Sequence, residues 1–161
     1  MTKYRGLENL NIIKSVEEMG NKEEILKMLS GNKPPCLETL RGNVTGFDEK
    51  EKTVTMEFDA IPEFCHSEAQ IVQGGFVTGM LDASMAHLVI ILEEFKYNPV
   101  SLDINVSFIR PAHPGLLIVK SRILRMGKSI AFMYATMKQG EEMVASATST
   151  LKLIPVSKRP L

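Results

Sequence analysis

The first feature of this sequence that calls for chemistry is an aspartate set in an apolar run. Asp82 has Met80, Leu81, Ala83, Met85 and Ala86 as neighbours. An ionised carboxylate in such surroundings is costly unless it is paired or faces a solvated cleft, and perturbed carboxylates cluster at functional sites. The alternative is a structural aspartate, paired with a basic group or capping nearby backbone. Upstream stand Gln73 and the pair Gly74-Gly75. Two glycines opening a helix would present free N–H groups and the positive end of the helix dipole, which suit an oxyanion, and would let a ligand come close to the backbone. At about 1.5 Å per residue, Asp82 lies roughly 10 Å along the axis from Gly75, so one carbonyl cannot touch both within a single subunit. If both serve one carbonyl, the natural solution is a site shared across a two-fold axis, with the glycine amide from one helix and Asp82 from its partner.

The elements that must position these residues follow from patterning. Asn21 with Glu24 makes a capping box before Ile25, Leu26, Met28 and Leu29, and predicts a short helix at about 21–30. From about Leu37 to Phe47, through the charged turn Asp48 to Glu51, into Thr53 to Phe58, the alternation predicts a hairpin with one buried face. Phe76 to about Phe95 is apolar on nearly all sides, as in a buried helix, and Asn98-Pro99 closes it. From Ser101 the period becomes two: Leu102, Ile104, Val106 and Phe108 face one way, Ser101, Asp103, Asn105 and Ser107 the other. Three more strands are expected at about 116–126, 129–139 and 143–153, with Gly127-Lys128 and Gly140-Glu141 at the turns. One antiparallel sheet wrapped round one apolar helix accounts for this order, an α+β architecture. The core runs from about 37 to 153, residues 155–161 are expected to be a loose tail, and the whole is expected to form a single domain with edge strands available to another subunit.

Composition narrows the classes of function. Lys plus Arg and Asp plus Glu balance at 19 each, so no net field draws the chain to nucleic acid or an anionic membrane. No segment is expected to approach the roughly 18 apolar residues of a membrane span. Cys36 and Cys65 lack metal-type spacing to the histidines, which suits reduced thiols and a cytoplasmic protein without metal. The chain contains no Gly-x-Ser-x-Gly elbow and no phosphate-binding or dinucleotide-binding glycine loop.

Several blocks in order carry a resemblance. Gln73-Gly-Gly75 with Asp82, Val100-Ser-Leu-Asp-Ile-Asn105, Phe108-Ile-Arg-Pro-Ala112 and Gly127-Lys-Ser-Ile-Ala-Phe132 together resemble the hot-dog-fold acyl-CoA thioesterases of the phenylacetic-acid-pathway type, over about residues 37–153. The resemblance implies hydrolysis of an acyl-coenzyme A, with coenzyme A as part of the substrate and no separate cofactor, in a homodimer or dimer of dimers. It implies that the Gly74 amide polarises the thioester carbonyl and that Asp82 acts as base on water or as nucleophile. Ser101 would assist the carboxylate, and Gln73 would orient a carbonyl or a water. Gly75, His66 and Ser67 would lie at the substrate, while Arg110 and Lys128 would contact coenzyme A phosphates. Many relatives carry His in place of Gln73 and Asn in place of Ser67. Met80 and Met85 are candidates to line an acyl pocket. Two rivals share the fold: a non-catalytic acyl-CoA-binding protein, and a hydratase that leaves the thioester intact. The second lacks a convincing Asp/His pair here.

Overall fold

The computed structural model describes Leu29 and residues 33–156. The helix expected at about 21–30 therefore lies, Leu29 apart, outside the described residues, as does the tail beyond Val156. Among the described residues the order is α1 (Pro35–Thr39), β1 (Gly42–Asp48), β2 (Thr53–Ala60), a 3-10 turn (Pro62–Phe64), α2 (Gly74–Leu92), β3 (Tyr97–Phe108), β4 (Gly115–Met126), β5 (Ile130–Gln139) and β6 (Glu142–Pro155). The strands form one antiparallel sheet in the order β1-β2-β4-β5-β6-β3, wrapped round α2. This is the α+β arrangement that the patterning implied.

Two local expectations change. Residues 37–39, read as part of a strand, belong to α1. Pro35 stands at its first turn, where a residue without an N–H loses no helical bond, and the Leu37 and Glu38 amides donate to the Pro34 carbonyl. Leu37 is thereby buried against the core. The second change concerns β3. Asn98-Pro99 lies inside this strand rather than before it; Pro is tolerated because β3 is an edge. A bulge between Ser101 and Asp103 then inserts Leu102 as an extra residue opposite β6. The bulge breaks the strict alternation, so Ser101 shares the helix-facing side with Ile104 and Val106, which pack on the core, while Leu102 is left 60% exposed.

α2 is buried along Val77, Met80, Leu81, Met85, Leu88, Val89 and Ile91, each contributing about 1.5–3 kcal/mol when removed from water. Gly75, Gly79, Asp82 and Ala86 follow one stripe at helical spacing and are less deeply covered. The helix is closed by Glu94 and Phe95 in the left-handed region, with φ 49° and 62°, the Phe95 amide returning to the Ile90 carbonyl. Contrary to the expectation that no segment approaches a membrane span, α2 has the length and apolarity of one, with a hydropathy of 1.7. Half of it is buried inside the protein, as befits a core helix.

Candidate active site

The Gln-Gly-Gly segment forms the entry to α2, and each residue has a separate physical task. Gln73 is the N-cap: its Oε1 accepts from the Gly75 amide at 2.6 Å and the Phe76 amide at 3.3 Å. Because only an oxygen can accept two amides, these bonds fix the side chain's orientation, with Nε2 as the outward donor. Gly75 makes room for that cap, since a Cβ there would sit 2.6 Å from Gln73 Oε1. Gly74 makes room for something else: a Cβ would lie 3.1 Å from Phe108 Cζ. Of the first-turn amides, those of Gly75, Phe76 and Val77 all have acceptors on Gln73. The Gly74 N–H has none among the described residues. Gly75, expected to offer an amide to a ligand, has it committed to the cap; Gly74 is the available donor.

That donor borders a cavity of about 390 Å³. Its walls include Val72, Val77, Phe108, Ala112 and Val144, with His66 and Arg110 as the polar members. Two loops hold these walls in place. The segment from Cys65 to Val72 closes by a bridge between those residues, and Val72 in turn donates to the Ala112 carbonyl at 2.8 Å. Phe64 stacks on Phe76, with centroids 4.4 Å apart, while the Gln73 amide N–H donates to the Phe64 carbonyl. On the other side, Gln139 exchanges two bonds with the His113 backbone.

Asp82 belongs elsewhere on the molecule. It is half-buried, and its Oδ1 accepts from the Ser101 hydroxyl at 2.5 Å. Oδ2 keeps no partner among the described residues. From Gly74 to Asp82 the helix rises roughly 12 Å, and Asp82 is not among the residues that line the cavity. Within one subunit the carboxylate and the open amide are thus well separated.

The other expected residues divide between the two ends. His66 lines the cavity. Ser67 does not; it is exposed, and its carbonyl accepts from Gln70 in the tight turn of that loop. Arg110 lines the cavity but pairs through Nε with Glu142 at 2.8 Å and through Nη1 with the Met143 carbonyl at 3.3 Å. Lys128 lies in the β4–β5 turn, whose Ser129 carbonyl accepts from Leu153. Since Leu153 pairs with Pro99, Lys128 is at the Asp82–Ser101 end of the sheet, away from the cavity. Met80 and Met85 are fully buried and absent from the cavity wall; they fill the core. The cavity residues that sequence reasoning missed are mainly Val72, Val77, Phe108 and Val144. Phe108 was legible only as one more apolar position in an alternating strand, and its contact with Gly74 is a product of tertiary packing.

Comparison with known proteins agrees with this architecture. The thioesterase superfamily matches residues 69–146, a span that contains the Gln-Gly-Gly entry, Asp82, Ser101 and Arg110. A putative thioesterase of Ralstonia eutropha, described as phenylacetic acid degradation-related, is 32% identical with a TM-score of 0.72, and the match covers 78% of this chain and 96% of that one. The chain belongs to the thioesterase superfamily and is, by class, a thioester hydrolase. The same fold occurs in the PaaI protein of the E. coli phenylacetic acid degradation operon, 16% identical with a TM-score of 0.70 over 81% of this chain and 92% of that one. It occurs also in the thioesterase HI1161 of Haemophilus influenzae, 14% identical with a TM-score of 0.71 over 88% and 96%. No curated protein matches the sequence.

Proposed function

We propose that this chain hydrolyses an acyl-coenzyme A to a carboxylic acid and free coenzyme A, in a site completed by two copies. The observation that carries this reading is the division just described, with an uncommitted amide at an apolar cavity at the start of α2 and a hydroxyl-supported carboxylate halfway along it. An antiparallel two-fold pairing of β3 with the β3 of a second copy sets the Phe108 end of one strand beside the Ser101 end of the other. The outer edge of β3 is suited to it, since among the described residues no strand pairs with it and the strand carries Val100, Leu102 and Phe108, all more than 40% exposed.

In such a site the thioester carbonyl lies at the Gly74 N–H of one subunit, with Gln73 Nε2 beside it. The tetrahedral oxyanion gains strength from that donor and from the helix N-terminus. Asp82 of the second copy approaches from the opposite side. Ser101 donates to Oδ1 and so holds the carboxylate in one rotamer, leaving Oδ2 to take a proton from water or to attack the carbonyl carbon. Collapse of the adduct expels the coenzyme A thiolate, which takes up the proton held by Oδ2 in the base route. In the nucleophilic route it leaves an acyl anhydride on Asp82, which water then cleaves to release the acid and restore the carboxylate. Lys128, at the Asp82 end, and the remaining Nη2 of Arg110 supply positive charge for phosphates.

The test is coenzyme A release from a panel of acyl-CoAs, followed by chromatography, for wild type and Asp82→Asn. The expected outcome is a loss of about 10²–10⁴-fold in kcat, the range for removing a positioned base, with folding and assembly intact. Undiminished release by a folded Asp82→Asn protein would sink the assignment. Tight binding of acyl-CoA with no release by wild type would instead support a non-catalytic binding protein.

A further inference from the structure

Phe108 is a large aromatic side chain left 58% exposed at the end of an edge strand, against the first residue of α2, whose amide has no acceptor among the described residues. Its ring lies so close to Gly74 that a Cβ there would be 3.1 Å from Cζ and 3.3 Å from Cε1. The same ring forms part of the cavity wall, together with Ile71, Val72, Val77 and Val144. A Cβ at residue 74 would require the ring to give way, and an acyl group held at the Gly74 N–H would enter the cavity that the ring helps to wall. An aromatic ring has few rotamers, and the contact of this one with residue 74 bounds the space on that side of the helix entry.

We propose that the Phe108 ring sets the bulk tolerated on the carbons next to the thioester carbonyl, selecting straight-chain acyl groups over those branched at the α-carbon. This inference rests on the reading of Gly74 as the carbonyl donor. Ile71 and Val77 line the same cavity, and apolar walls near the carbonyl favour an unbranched segment there. A misfitting methyl group changes selectivity by roughly 10- to 200-fold in apolar pockets of this kind.

The experiment compares butyryl-CoA with isobutyryl-CoA, which have the same number of carbons, in wild type, Phe108→Leu and Phe108→Ala. For wild type, kcat/KM is expected to favour the straight chain by at least roughly tenfold. Phe108→Ala should cut that ratio to about threefold or less, with Phe108→Leu between the two. Equal losses on both substrates, leaving the ratio as in wild type, would reduce the ring to a packing element and overturn the proposal. If the alanine protein fails to assemble, the leucine protein, which retains apolar bulk, decides by the same ratio. Should wild type release no coenzyme A from any thioester, the hydrolase reading falls by itself. Calorimetric affinities for the two ligands then test the ring, with the same ratio expected in wild type and lost in the alanine variant.

Discussion

At the scale of single residues, the glycine pair shows how two identical letters meet different needs. Gly74 accommodates an aromatic ring and Gly75 accommodates an amide. Replacing Gly75 with Ala would displace the Gln73 cap, at a cost of about 1 kcal/mol, while the better helix former returns up to about 1 kcal/mol. The melting temperature should therefore move by only a few degrees, whereas coenzyme A release should fall roughly tenfold because Gln73 no longer holds its donor beside Gly74. Melting and kinetics measured on one preparation check this, and a large loss of stability alone would assign Gly75 to the fold. His87 carries a different kind of information. Burial pushes its imidazole below the ordinary value, partly opposed by donation from Nδ1 to the Ala83 carbonyl at 2.7 Å. The unfolded chain then binds a proton more readily than the folded one, so stability declines as pH falls from about 6.5 toward the lower folded value. Urea unfolding across that window should show the decline in wild type and a flatter profile in His87→Gln.

At the scale of elements, the features legible in sequence were those governed by local rules. The buried helix announced itself through a continuous apolar run, four later strands through period two and turn glycines, and Asp82 through its misfit with its neighbours. The position of Ser101 beside Asp82 was legible through the resemblance but not through patterning, because its direction depends on the bulge at Leu102 and nothing in the spelling of residues 100–105 departs from alternation. Strict alternation puts Ser101 opposite Ile104; the extra residue returns it to the helix side, where it meets Asp82. Similarly, α1 was masked because residues 37–47 are compatible with a strand, and the signal that should have prevailed was Pro34-Pro35 opening a helix. The two phosphate candidates were read from the resemblance of their blocks and from their charge. Pairing of Arg110 with Glu142 bridges positions distant in sequence, and no local rule reveals it.

At the scale of the whole molecule, the division of the site between subunits makes a prediction that no single-chain site can satisfy. Asp82→Asn and Gly74→Val each disable one half. Mixed and allowed to exchange subunits, equal amounts of the two should form mixed dimers in half of the cases, each with one intact site, so activity should return to about a quarter of wild type. The unmixed variants should remain near background. An assay before and after exchange decides the point, and no recovery despite verified mixed dimers would place the whole reaction within one subunit.

The strand order has another consequence, for the birth of the protein. β3 is the third of the described strands to be made, and among them its one neighbour within the chain is the last, β6. During synthesis at roughly 5–20 residues per second, it waits seconds for its neighbour, exposing an apolar edge the whole time. A nascent chain stalled in the β5–β6 connection would present β3 with neither edge paired, a natural target for a chaperone that binds extended apolar segments.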